Sequence, residues 1–233
     1  VEGYSCFAAI NGFGDREPVL PPMFMADAYA GLYGSTATMM VLRHAEATGE
    51  GQIIDLSLFE PIFAMLEPQI ANYAMTGAPK PRTGSRSTNT APRNTYCTKD
   101  GKWVGLSSST QSVFERLIRS IGQEALLADA RFATNSDRLR NIDAIDQVIS
   151  DAIGGMTLAD ALAQFDRDGV TIGPILDVAD LAEDAYVRER EALVAVPDDE
   201  MPGGLLPMHG LVPRFSRTPG VREKRGTNPC MGR

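Results

Sequence analysis

Histidine and cysteine are scarce in this sequence, which holds two histidines and three cysteines among 233 residues. Cys6, Cys97 and Cys230 are odd in number, far apart and without metal-ligand spacing, so neither a disulfide framework nor a zinc site is expected. His44 and His209 are too few for a multi-histidine metal centre. The sequence therefore predicts no metal site.

A long uncharged apolar run and a basic charge balance are also missing. Residues 23–42 come nearest to a membrane span, but Asp27 and their Gly, Ser and Thr content favour a buried helix. The formal net charge of −8 argues against an extended nucleic-acid-binding surface, and the basic residues near the C-terminal end are typical of a solvated tail. Val1 begins no signal-peptide pattern. We expect a cytoplasmic protein that binds neither nucleic acid nor a membrane.

What is present is the composition of a globular protein, with 43% hydrophobic and 22% charged residues. Apolar periodicity and turn residues predict both helices and strands, and residues 1–9 form a strand-like or buried apolar stretch. Lys99-Asp100-Gly101 is a hairpin turn signal. One hydroxyl of residues 107–111 is expected to cap the helix that follows, and Thr157 is expected to cap the helix that begins at Leu158. The predicted helices cover residues 24–47, 58–75, 113–121, 137–153 and 158–166, and most apolar residues of 58–75 are expected to lie in the core. The predicted strands cover 52–57, 94–97 and 102–106, and residues 169–175 are a short strand or turn.

The composition changes at residues 76–93, where Gly, Pro and Ser dominate and four basic residues lie in an extended linker. We place a domain boundary here. The predicted division has residues 1–62 in the central part of a large domain, 63–91 as a helix and linker, 92–182 as a small α+β domain, and 183–233 as a segment returning toward the large domain.

Asp27 is the residue on which the functional argument depends. It is the only charged side chain between Phe24 and Leu42, near the start of the predicted long helix. A carboxylate in such surroundings is stabilised by the free N–H groups of the helix start or has a raised pKa, and either suits nucleophilic or general-base chemistry. The alternative is an ordinary helix cap, for which Asp is also favoured.

No phosphate-binding loop, nucleophile elbow or zinc-protease motif occurs in the sequence. The chain does resemble the class III CoA-transferase family of the CaiB/BaiF and formyl-CoA transferase type. The resemblance rests on an ordered set of segments that covers most of the chain. They are Gly3-Tyr4, Pro21-Pro22, the Asp27 segment 26–31, residues 43–58, the 100–104 hairpin and residues 170–175.

The resemblance implies part of a large α/β (Rossmann-like) domain plus a smaller α+β domain, in an interlocked homodimer. It implies that Asp27 is the nucleophile, which attacks an acyl-CoA thioester to give a mixed anhydride and then an aspartyl-CoA thioester. An acceptor carboxylic acid finally receives the CoA. Coenzyme A and acyl-CoA are then substrates, together with a small carboxylic acid, and no cofactor is permanently bound.

The resemblance begins part-way along the sequence typical of the family. The family's N-terminal half, which supplies most CoA contacts, is therefore expected to lie outside this chain. Weaker site candidates are Tyr4, for the acyl pocket, and Ser108 and Gln111, which lie where relatives carry a glycine-rich loop that this chain lacks. A racemase or epimerase of the same family is the first alternative function. It is disfavoured because Tyr4 stands where that activity requires a histidine. A non-catalytic interaction fragment is the second.

Overall fold

The computed structural model describes residues 1–66 and 68–220, which divide into two compact units, residues 1–173 and residues from 174 onward. The first unit begins with four helices and continues into a hairpin followed by further helices. The predicted division into four segments stays a prediction. In chain order the first helices are α1 (Phe7–Ile10), α2 (Met25–Thr48), α3 (Phe59–Ala64) and α4 (Gln69–Thr76).

The second half of the first unit holds its hydrophobic core. Two antiparallel strands, 93–97 and 103–107, pair Arg93 with Ser107 and Cys97 with Trp103, and a third strand joins beside the second. A short 3-10 helix at Glu124–Ala128 lies between two of the helices. The elements are β1 (Arg93–Cys97), β2 (Trp103–Ser107), α5 (Gln111–Ser120), α6 (Asn135–Arg140), α7 (Ile142–Gly154), α8 (Leu158–Arg167) and β3 (Ile172–Pro174).

Apolar side chains from these elements form one buried cluster. Phe114, Leu117 and Ile118 of α5 meet Ile145 and Ile149 of α7, and all five are at most 1% exposed. Apolar residues at helical spacing on α5 and α7 therefore face one core, as the periodicity of the sequence predicts.

The described part of the second unit contains two short helices and a two-stranded sheet. Asp177 caps the first helix through a capping box with Asp180. The sheet pairs Leu193 with His209 and Pro197 with Leu205 in antiparallel register. The elements are α9 (Val178–Glu183), α10 (Ala185–Glu189), β4 (Leu193–Pro197) and β5 (Leu205–His209).

Several predicted elements are confirmed. The long helix α2 starts and ends within one residue of the prediction, and the hairpin turns at Gly101, whose φ of 75° suits glycine. Thr110 caps α5 and Thr157 caps α8, each by accepting a backbone N–H three residues ahead.

Other predictions are wrong. Residues 1–9 form turns and the start of α1 in place of a strand, and residues 52–57 belong to neither sheet of the described chain. A strand requires a hydrogen-bonded neighbour, which sequence alternation alone cannot supply. The predicted helix 58–75 is two helices, because Pro68 has no N–H to donate and serves as the N-cap of α4. Asn141 similarly divides the predicted helix 137–153 into α6 and α7.

The predicted burial of the apolar residues of helix 58–75 is also largely wrong. Ile62 is 1% exposed, but Phe63 is 36% and Ile70 is 59% exposed. Helix α2 is likewise not buried as expected, since Leu32 and Met40 are 65% and 68% exposed. Apolar periodicity marks a face that requires cover, but it does not say which chain segment provides that cover.

Candidate active site

Asp27 lies in the first turn of α2, two residues after Met25, the first residue of the helix. Its side chain is exposed, whereas the neighbouring Ala26 and Ala30 are buried and pack the helix start onto the rest of the unit. The N-cap position is Phe24, which offers no side-chain oxygen. Asp27 is therefore not the N-cap of α2, and the alternative in which it serves as the cap does not hold.

The role of a cap is taken by Glu2, a residue that sequence reasoning missed. Its Oε1 accepts the backbone N–H of Ala26 at 3.3 Å, although 24 residues separate the two in sequence. Hydrogen bonds from its own backbone N–H and from the Ala26 N–H hold the pKa of the Glu2 carboxyl below its usual value. No local pattern could have revealed this contact, because it joins two distant segments.

Asp27 has an unengaged carboxylate in the described chain. No hydrogen bond or ion pair joins it to another residue within 1–66 and 68–220. At the helix start, the N–H of Met25 donates to the carbonyl of Met23 and that of Ala26 to Glu2, so the N–H of Asp27 is left for an incoming group. A negative charge here is favoured by the positive end of the helix dipole.

The ring of Tyr4 packs against helix α3. Its ring meets the ring of Phe59 edge to face, with centroids 5.4 Å apart, and Phe59 stacks on Phe63 at 5.2 Å. Helix α3 packs against α2, and Tyr4 lies two residues along the chain from Glu2, whose carboxylate accepts the Ala26 N–H. Tyr4 is 84% exposed, so its ring remains accessible.

No hydrogen bond or ion pair joins Ser108 or Gln111 to α2 within the described chain. Gln111 Oε1 accepts from Nη1 of Arg138 at 2.8 Å, which assigns it a structural partner. Arg138 is 1% exposed, and burial lowers the pKa of its guanidinium. Ser108 is fully buried, and its hydroxyl has no hydrogen-bond partner among the described residues.

No group of three or more His, Cys, Asp or Glu side chains in the described chain could hold a metal ion. Within the same residues, no helix has the length and hydropathy needed to cross a membrane.

Cys230 and the basic residues beyond Val221 lie outside the described residues. Arg214, one of the basic residues near the C-terminal end, has its Nη1 3.8 Å from Oε2 of Glu191.

The whole chain, residues 1–233, matches CoA-transferase family III. The chain belongs to this family. It is 31% identical over 224 residues to the succinyl-CoA–D-citramalate CoA-transferase of Chloroflexus aurantiacus, with 96% of this chain and 55% of that protein covered. It is 33% identical over 227 residues to the succinyl-CoA–L-malate CoA-transferase beta subunit of the same organism, covering 97% of this chain and 55% of the subunit.

Solved structures agree with this family membership. A CaiB/BaiF family protein from Brucella suis matches with a TM-score of 0.74 and 31% identity, over 94% of this chain and 56% of that one. Rv3272 from Mycobacterium tuberculosis, with a TM-score of 0.77 at 17% identity over 95% of this chain and 58% of that one, shares the fold. The α/β fold of a CoA-transferase of this family is thus confirmed. The chain spans about half the length of the curated relatives it matches.

Proposed function

We propose that the protein containing this chain moves CoA from an acyl-CoA to a carboxylic acid, with Asp27 as the nucleophile. The observation that carries the proposal is the unengaged carboxylate of Asp27 at the start of α2, in a chain of the CoA-transferase family. A carboxylate that caps no helix and pairs with no cation keeps its lone pairs for attack on a thioester.

The proposed steps balance without any further reagent. An Asp27 carboxylate oxygen bonds to the thioester carbonyl carbon, and the C–S bond breaks to release the CoA thiolate and form a mixed anhydride. The thiolate then attacks Cγ of Asp27, which frees the donor acid and leaves an aspartyl-CoA thioester. The acceptor carboxylate attacks the same carbon, the thiolate leaves again, and its attack on the acceptor's carbonyl carbon regenerates Asp27 and gives the new acyl-CoA.

Each attack on a carbonyl carbon places negative charge on an oxygen. In α2 the backbone N–H of Asp27 is the first-turn donor that remains without an acceptor within the described chain. A helix N-terminus stabilises developing negative charge, so this N–H is suited to the oxyanions of the cycle. Exclusion of water would protect the anhydride and thioester from hydrolysis.

Two of the curated relatives are named for succinyl-CoA with citramalate or malate. These names suggest succinyl-CoA as the first donor to test and hydroxylated dicarboxylic acids as the first acceptors. The interlocked homodimer and a cytoplasmic location belong to the same proposal. Tyr4, beside Phe59, is proposed to line the acyl pocket, while Ser108 and Gln111 are retained only as weaker candidates for CoA contact.

The deciding experiment uses the natural protein that contains this chain. Incubation with succinyl-CoA followed by hydroxylamine should convert Asp27 to its hydroxamate, detected by peptide mass, and Asp27→Asn should abolish both the adduct and transfer. Asp15→Asn is the matched control, since Asp15 is exposed in a loop before α2. Full turnover in Asp27→Asn would contradict the catalytic role of Asp27. Solvent deuterium at the acyl α-carbon without an adduct would contradict transfer and favour the racemase alternative.

A further inference from the structure

The N-terminal end of α2 is held by a side chain from outside the helix. Its N-cap residue, Phe24, makes no side-chain capping bond, and the carboxylate of Glu2 accepts the N–H of Ala26 in its stead. Unbonded amides at a helix start favour fraying of the first turn, and a single capping bond stabilises that turn. Asp27 is the next residue after Ala26, so it lies in the turn that this bond holds.

Glu2 is itself fixed by its own backbone. The carbonyl of Glu2 accepts the hydroxyl of Ser5 at 3.2 Å and the N–H of Ala8 at 3.2 Å. Ser5 is fully buried and Ala8 is 7% exposed, so these bonds are anchored in packed surroundings. Ala26, at the other end of the contact, is 2% exposed. The carboxylate of Glu2 thus joins two packed segments, with α1 on one side and the start of α2 on the other.

We propose that Glu2 is a positioning residue for Asp27. It holds the first turn of α2 closed through the Ala26 N–H, and so keeps the Asp27 carboxylate and the Asp27 N–H in one geometry during the reaction. This inference rests on the proposed nucleophilic role of Asp27. Because nucleophilic attack is sensitive to displacements on the order of 1 Å, a frayed first turn slows the chemical step and leaves substrate binding elsewhere unchanged.

The test compares Glu2→Ala, Glu2→Gln and the control Glu17→Ala in the natural protein that contains this chain. Glu17 is exposed in the loop between α1 and α2. Glu2→Ala should lower kcat about fivefold, the effect of losing a typical cap, with KM changed less than about twofold. Glu2→Gln keeps an oxygen that accepts the Ala26 N–H and should restore kcat to within about twofold.

Two further readouts separate positioning from a general folding defect. The amount of trappable aspartyl-CoA adduct should be unchanged in Glu2→Ala while its rate of formation falls. Exchange of the Ala26 amide hydrogen should be faster in Glu2→Ala than in the wild type or Glu2→Gln. An unchanged kcat in Glu2→Ala, a Glu2→Gln variant as slow as Glu2→Ala, or a loss of adduct amount with a lower Tm would each overturn the inference.

Asp27→Asn, measured in parallel, shows which proposal has failed. If Asp27→Asn is inactive and Glu2→Ala is fully active, Asp27 keeps its role and the assignment of Glu2 is wrong. If Asp27→Asn turns over normally, the proposed function fails, and the assignment of Glu2 fails with it.

Discussion

Arg86 and Asp146 form an ion pair that joins the linker before β1 to helix α7, with Nε of Arg86 2.7 Å from Oδ2 of Asp146. The same carboxylate accepts the amide of Asn94 at 2.9 Å and the hydroxyl of Tyr96 at 2.7 Å. The Asp146 side chain is 8% exposed, so three donors compensate for its burial. The linker is thus anchored at Arg86.

Asp146→Ala is expected to destabilise the protein by about 3 kcal/mol, because it leaves Arg86, Asn94 and Tyr96 without their acceptor. Urea unfolding measures the change. Asp143→Ala provides the matched control, since Asp143 pairs with the same arginine at 2.7 Å but its side chain is 88% exposed. Asp143→Ala should lower the free energy of unfolding by less than about 1 kcal/mol. Equal losses in the two variants would show that burial of the Asp146 pair is unimportant.

Alkaline pH should destabilise the fold through Tyr96. Burial, and then the hydrogen bond to Asp146, raise the pKa of Tyr96 well above its usual value. The unfolded chain releases this proton near pH 10 while the folded chain keeps it, so the stabilisation is complete below about pH 10 and declines above it. The decline attributable to Tyr96 is about 1.4 kcal/mol for each pH unit.

The pH test compares the free energy of unfolding of the wild type and Tyr96→Phe at pH 9 and pH 11. Tyr96→Phe should lose less stability over this interval, because its side chain has no proton to release. Tyr186→Phe is the control, since Tyr186 is 70% exposed. Identical pH dependence in all three proteins would rule out the assigned role of Tyr96.

Gln111→Ala separates a structural role from the predicted CoA contact. Arg138, whose Nη1 donates to Gln111, also donates to the carbonyls of Ala91 and Phe132 and stacks over Phe114. Loss of one acceptor from this buried cation should cost about 1–3 kcal/mol in the free energy of unfolding. The KM for acyl-CoA should stay within about twofold of the wild type.

For this variant, Gln147→Ala is the control, because Gln147 donates to Asp151 at 2.7 Å on the exposed side of α7. It should change neither stability nor KM appreciably. A large increase in KM for Gln111→Ala without loss of stability would instead support the original CoA-binding prediction for Gln111.

The exposed apolar face of α2 should make the chain self-associate when it is produced alone. Leu32, Met39 and Met40 are 64–68% exposed, so contact between copies removes apolar surface from water. Light scattering after size exclusion should show species larger than the monomer. The double variant Met39→Gln with Met40→Gln should shift the population toward monomer, whereas a monomeric wild-type chain at high concentration would contradict this prediction.

Local sequence was sufficient for elements whose signals lie within a few residues. The Lys99-Asp100-Gly101 turn, the caps Thr110 and Thr157, and the length of α2 follow from short-range hydrogen bonding and periodicity. The ordered motifs around Asp27 were likewise sufficient to identify the family, because together they are specific.

Tertiary structure decided what depends on a distant partner. Residues 52–57 alternate like a strand yet join no sheet in the described chain. Ile70 lies at helical apolar spacing yet is 59% exposed. The caps of α5 and α8 are local, but that of α2 comes from Glu2, 24 residues away. Sequence alone therefore placed a carboxylate at the start of a helix. Only the tertiary contact between Glu2 and that helix start gave the capping bond, because it joins segments that no local pattern relates.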